Sequence, residues 1–318
     1  MSGRTDHTLS ARTRSSMVAL ASAMAALCAT AGIATAEDTS ATPAPGAAPA
    51  STASGASGGG SPAGASSGSR SLKLKSEHAS PDKAFYYGKR KAVYHYSIGG
   101  TRARNLKIQA VNRRNWRVVH TWLRRGVEPG SMHAIRWGGT GRHGRPAKAG
   151  NYMFRVRTRH GANANRSRTR GGDRSFALYP AKFPVRARHS YGDGYGAPRA
   201  GHVHQGQDIL APCGKRVVAA RGGRIQYRAY QASGAGYYLV VDGKGTGHDY
   251  VYMHLRRHGR AKRGQHVRTG QRIGTVGETG DASGCHLHFE MWTKPGWYEG
   301  GRAMPSVTRH LRAWDRWS

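Results

Sequence analysis

Apolar and polar residues alternate in short runs along much of this chain, and turns separate the runs. Positions 92–98, 106–111, 116–122, 133–139 and 149–156 each carry a period of two. That period sends successive side chains to opposite faces and marks half-buried strands. In the last of these runs Tyr152, Phe154 and Val156 share one face and Arg155 takes the other. Short strands in this order, over about a hundred residues, predict a β-sandwich across 72–180. A second series, 217–220, 223–230, 237–241 and 250–253, reads as strands with Gly and Asp between them. It predicts an antiparallel, mostly β domain over 181–303, with a groove floored by its sheet. The end of the chain differs. Val307, Leu311, Trp314 and Trp317 are spaced along one face of a helix, so 304–318 is expected to be a helical tail whose apolar stripe is core. The fold class is mainly β.

The first 71 residues show no such periodicity. Residues 1–36 look like an export signal: Arg4, Arg12 and Arg14 precede an uncharged run at 17–33, and Ala34-Thr35-Ala36 offers a cleavage site before Glu37. An uncleaved anchor is the rival, since the run approaches the length that spans a bilayer. Its many Ala, Ser and Thr residues make it weakly hydrophobic. That favours cleavage and leaves no transmembrane anchor in the mature chain. Cys28 follows Leu27 rather than a small residue, which argues against lipidation. Residues 37–71 are Ala, Ser, Gly, Thr and Pro almost throughout and read as a flexible linker.

Charge narrows the partners. Lys and Arg number 51 against 16 acids, a formal net charge of +35. Between 73 and 180 there are 25 basic and 4 acidic residues. Self-repulsion of that size needs a polyanionic setting or strong surface solvation. Nucleic acid is the first suspicion, but no nucleic-acid-binding motif appears and an export signal removes the chain from cytoplasmic DNA. No nucleic acid is therefore expected. An exported chain is expected to meet anionic polymers outside the cytoplasm. An electrostatic hold on them is the better reading; a general adaptation of an arginine-rich proteome is the other. The Arg-rich stretch 155–174 is expected to open into an inter-domain loop.

Reactive side chains gather between 202 and 291. One piece reads His204-Gln205-Gly206-Gln207-Asp208, another Cys285-His286-Leu287-His288-Phe289-Glu290, and His254 ends the aromatic run that starts at Tyr250. On a strand His286, His288 and Glu290 project to one side. His204 and Asp208 are expected on a turn, with Gly206 letting the backbone fold tightly. A catalytic zinc takes three protein ligands and leaves a fourth position open. This set offers three ligands with two histidines to spare. Of the chain's 17 histidines, His202, His248, His258 and His266 read as structural or solvated.

These motifs, in this order, resemble the lysostaphin/LytM-type zinc endopeptidases, which hydrolyse the peptide stems or cross-bridges of bacterial peptidoglycan. The likeness runs from Tyr191 to Trp297. It implies one zinc held by His204, Asp208 and His288, and a catalytic pair, His254 and His286. One of the pair would act as general base and the other would stabilise the oxyanion or protonate the leaving amine; the H-x-H spacing leaves open which is which. Glu290 is expected either to orient a histidine from behind or to be a plain strand residue. Trp137-Gly138-Gly139 followed by Gly150-x-Tyr152-x-Phe154-x-Val156 resembles the Ig-like domain of flagellar hook-capping proteins, with Gly138 where an Asp is usual. Such a domain is expected to position or restrain the enzyme.

Cys213 and Cys285 are the cysteines left once Cys28 is removed. Cys285 should point away from the zinc face, so a disulfide behind the site is expected in an oxidising compartment, with two free thiols as the alternative. Together these readings describe a secreted zinc endopeptidase of the cell envelope. The alternative is a non-catalytic wall-binding or amidase-activating scaffold that uses the same groove.

Overall fold

The computed structural model describes residues 72–141, 144–158, 164 and 174–318. The export segment 1–36, the linker 37–71 and most of the arginine-rich stretch lie outside them. Among the described residues nineteen strands precede a single helix, and no helix there is long and apolar enough to cross a membrane.

Two sheets build the first part. One joins β1 (Leu74–Ser80), β3 (Ala92–Ile98) and β6 (His133–Trp137). The other runs β2 (Lys83–Phe85), β8 (Ser175–Tyr179), β7 (Gly150–Thr158), β4 (Arg104–Asn112), β5 (Val118–Val127). The expected parity holds. Tyr94, Tyr96 and Ile98 of β3 and Ile108, Tyr152, Phe154 and Phe176 of the second sheet enter one apolar core. Tyr94 stacks on Phe154 with ring centroids 4.9 Å apart. The β2–β8 pair is parallel, which the sequence did not signal. The strand expected at 116–122 starts two residues later, because Asn112 and Asn115 each accept a backbone N–H two residues on and hold a turn. Trp116 sits in that turn with φ 59° and its ring mostly in solvent.

The second part is a seven-stranded antiparallel sheet. Its order is β17 (His266–Val267), β14 (Gly223–Gln231), β15 (Gly236–Gly243), β16 (His248–Leu255), β19 (His286–Thr293), β12 (Gln207–Leu210) and β9 (Ser190–Tyr191). Leu287, Phe289 and Met291 of β19 point to a core shared with Tyr250 and Tyr252. The helix α1 (Val307–Trp317) closes that core with Val307, Leu311 and Trp314. Its apolar stripe is thus buried, as expected. The opposite face carries His286, His288 and Glu290, followed by a smaller apolar cluster of Val240, Val251, Trp292 and Trp297.

The two parts meet through buried polar contacts. Arg221 is 2% exposed, donates to the Lys244 and Pro180 carbonyls and lies 3.9 Å above the Tyr86 ring. Thr269 donates to the Tyr86 carbonyl, and Trp317 stacks on Tyr179.

Cys213 and Cys285 are joined by a disulfide with Cα atoms 5.2 Å apart, closing a 72-residue separation at the foot of β19. In the chain-entropy view a loop of that length stabilises the fold by roughly 4 kcal/mol. Cys213→Ser/Cys285→Ser protein should therefore lose unfolding free energy of that order and show a lower midpoint in urea unfolding. An unchanged midpoint would refute it.

Candidate metal centre

The centre is assembled from three strands. Asp208 and His288 are direct partners across the β12–β19 ladder, and Met253 of β16 pairs with His288 on its other side. Cross-strand partners bring side chains on the same face within reach. His204 lies in the loop that enters β12, and Asp208 is on the strand rather than in a turn. Gly206 matters for space. A Cβ there would meet the His288 Nε2 at 2.7 Å and the Phe289 carbonyl oxygen at 2.6 Å. Its φ is not in the left-handed region, so packing against the His288 ring, and not turn geometry, demands glycine.

Three donor atoms converge. His204 Nε2 lies 3.0 Å from Asp208 Oδ1 and 2.9 Å from His288 Nδ1, and the last two atoms are 2.9 Å apart. The far nitrogens decide the tautomers. His204 Nδ1 is 2.8 Å from the Gly194 carbonyl oxygen, which can only accept, so Nδ1 carries the hydrogen. His288 Nε2 is 2.9 Å from Glu290 Oε1 and donates to it. Both near nitrogens then bear lone pairs aimed at each other and at a carboxylate oxygen. Such a trio repels itself unless a cation stands between its members. Metal–ligand bonds of about 2 Å fit the spacing, so the donor set suits zinc. The surroundings of the trio also favour a positive charge there. Burial opposes charge on both groups, yet the imidazoles hold the Asp208 carboxyl well below the usual carboxylate range, and Asp208 with Glu290 lifts His288 to about 9. A metal cation at that point would take the place of a proton on His288 Nδ1. Asp208 keeps a single oxygen for this role, since its Oδ2 faces the Arg199 guanidinium at 3.6 Å and Arg199 also pairs with Asp193 at 2.9 Å.

The two remaining histidines stand beside the trio. His286 donates Nδ1–H to the Gly284 carbonyl and keeps Nε2 3.7 Å from Asp208 Oδ1. His254 donates Nδ1–H to the Thr279 carbonyl at 2.7 Å, with its ring centroid 4.6 Å from that of His286. Plain alternation along β16 would put His254 with Tyr250 and Tyr252, in the core. Instead the β15–β16 ladder bulges here: Tyr237 pairs with Leu255 but Leu239 with Tyr252. His254 takes φ 57°, which turns its ring to the metal face and Leu255 to the core. Left-handed backbone at a non-glycine residue costs of order 1–3 kcal/mol, and bulges are a common way to re-aim a side chain. Burial then pushes His254 down to about 4, with His286 and His288 pushing the same way, so it is neutral at pH 7.

His202 is exposed, its ring nitrogen bonds to the Ala200 carbonyl, and it stays outside the trio. Arg199 and Trp292, whose indole N–H donates to Glu290, escaped the reading of the sequence. Neither belongs to a motif, and only the folded sheet brings them to the site.

The model of Peptidase family M23 matches residues 202–301. An uncharacterized metalloprotease of Haemophilus influenzae is 34% identical over 140 residues, 43% of this chain and 28% of that protein. The peptidoglycan DD-endopeptidase ShyC of Vibrio cholerae is 38% identical over 90 residues, 28% of this chain and 20% of its own. An L-Ala–D-Glu endopeptidase of Bacillus subtilis is 31% identical over 157 residues, 46% and 45% of the two chains. The chain thus spans less than half the length of each of these relatives.

Removing any member of the trio should empty the centre, since three ligands leave no redundancy. His204→Ala, Asp208→Ala and His288→Ala are each expected to lose zinc on dialysis, and so is Gly206→Ala, by displacing the His288 ring. Zinc content by elemental analysis checks this. Near-stoichiometric zinc in any of the three ligand variants would contradict the assignment.

Proposed function

We propose, from the match of residues 202–301 to the model of Peptidase family M23, that the chain is a secreted zinc-dependent endopeptidase that hydrolyses peptide bonds in the stems or cross-bridges of peptidoglycan. The observation that carries this reading is the convergence of three lone-pair donors, His204, Asp208 and His288, beside two imidazoles that are not needed to hold a metal. The named relatives include a DD-endopeptidase and an L-Ala–D-Glu endopeptidase, so the proposal is a class of peptide bond and not one bond.

A bound zinc supplies polarisation of the scissile carbonyl and a water made acidic near neutral pH. The chain's own groups do the rest. His254, neutral and fixed through Nδ1, offers its Nε2 lone pair as general base. His286, fixed through its own Nδ1, presents Nε2 toward the metal side, where in its protonated form it would stabilise the developing oxyanion or hand the Nε2 proton to the leaving amine. Glu290 keeps His288 oriented from behind. Buried Val251 and Trp292, with half-buried Met253 beside them, keep bulk water from that face.

The remaining segments are assigned to delivery. Residues 1–36 export the chain to the envelope and 37–71 give it reach. The basic sandwich at 72–180, read as Ig-like, precedes the peptidase domain at 181–303 and its tail at 304–318. With 25 basic residues against 4 acidic ones between 73 and 180, it holds the enzyme on anionic wall polymers, with no nucleic acid as partner.

Zinc-replete protein incubated with purified peptidoglycan should release fragments with new amino termini, detected by mass. Tight binding without cleavage would favour the scaffold reading. His254→Ala and His286→Ala should keep zinc and each lose roughly 10²–10⁴-fold in turnover; a zinc-replete His254→Ala protein with unchanged turnover would remove that residue from the mechanism. Retention on purified wall should fall steeply between 0.1 M and 1 M salt, as the Debye length shrinks from about 10 Å to about 3 Å. Equal retention in a pull-down at both salts would mean specific recognition in place of an electrostatic hold.

A further inference from the structure

Glu290 is a buried carboxylate, 3% exposed, in the middle of the sheet. Among the described residues its one ion-pair partner is His288, and no lysine or arginine reaches it. Its two oxygens are divided. Oε1 accepts the His288 Nε2–H at 2.9 Å, and Oε2 accepts the Trp292 Nε1–H at 2.7 Å. His288, Glu290 and Trp292 are alternate residues of one strand, so they stand in a row on one face. The indole ring is itself held. Trp292 is 7% exposed, packs with Val240, Val251 and Trp297, and has Tyr298 at a centroid distance of 6.1 Å. Trp297 is in turn fastened through its backbone N–H to Asp249.

An indole N–H can only donate. It therefore holds Oε2 and leaves Oε1 for the imidazole, and it stops the carboxylate from turning about its bond. We infer that Trp292 is a positioning residue of the metal centre, acting through Glu290. It fixes the carboxylate that keeps the hydrogen on His288 Nε2 and the lone pair on Nδ1. The inference rests on the zinc reading above.

Partners behind a metal-binding histidine are typically worth 10–100-fold in metal affinity. Trp292→Phe keeps a ring in the pocket and removes the N–H. The test compares zinc affinity, by competition with a chromophoric chelator, for the wild type, Trp292→Phe, Glu290→Ala and the double variant. Thermal melts of the zinc-free proteins check the fold. Trp292→Phe should weaken zinc about 10-fold or more, and should cost nothing further in the Glu290→Ala background. Trp297→Phe, which alters the same cluster without touching Glu290, should leave zinc affinity unchanged. Equal losses in both backgrounds, or an equal loss in Trp297→Phe, would mean packing alone and overturn the inference. Glu290→Gln keeps the Trp292 bond on its amide oxygen but turns an amide NH₂ toward His288, so it should weaken zinc even if Trp292→Phe folds poorly. Unchanged affinity in Glu290→Gln would also overturn the inference. A wild type that holds no zinc would overturn the metal reading and this inference with it, whereas zinc held equally by all variants would remove this inference alone.

Discussion

The register of β19 is the constraint on which the rest depends. Leu287, Phe289 and Met291 are at most 2% exposed on one side of the strand, and each is worth roughly 1.5–3 kcal/mol of burial. A slip of one residue would send His286, His288 and Glu290 into that core and turn the apolar three onto the face where His204 and Asp208 stand. Both halves of such a slip are unfavourable, so the core sets where His288 stands. The ladder to β12 then places Asp208 beside it, and the close approach of Gly206 brings the His204 loop over the same ring. The three donors are thus held by hydrophobic packing first and by their own polar contacts second.

Each donor is also fixed from behind, by a different kind of group. A backbone carbonyl holds His204, a guanidinium occupies the spare oxygen of Asp208, and a carboxylate holds His288. The catalytic pair proposed here is fixed through Nδ1 to the carbonyls of Thr279 and Gly284. Those carbonyls belong to the loop that the Cys213–Cys285 disulfide ties down and that Thr279 stitches to Leu255. Little side-chain freedom then remains to be lost when a substrate docks, the usual benefit of a preorganised site. The strain at His254 is a local cost, and a bonded neighbourhood holds it in place.

Much of this was legible in the chain. The H-x-H step placed two imidazoles on one face, the period of two located most strands, and the tail spacing marked a buried helix. The disulfide followed from where Cys285 stands relative to His286. What was not legible depends on backbone events that a residue pattern does not carry. His254 breaks the parity of its own strand through a bulge whose partner, Tyr237, is remote in sequence. Gly206 suggested a tight turn, while its reason is the His288 ring, 82 positions away. Arg199 and Trp292 carry no motif and become part of the site only once the β10 (Pro198–Arg199) hairpin and β19 are folded.

The account's central claim is that His204, Asp208 and His288 form a nitrogen- and oxygen-only cradle for zinc, with the cysteines withdrawn into a disulfide. X-ray absorption at the zinc edge of the purified protein tests it most directly. The account predicts two imidazole nitrogens and oxygen neighbours at about 2.0–2.2 Å, with no sulfur. A sulfur neighbour at about 2.3 Å, or a spectrum left unchanged by His288→Ala, would contradict it.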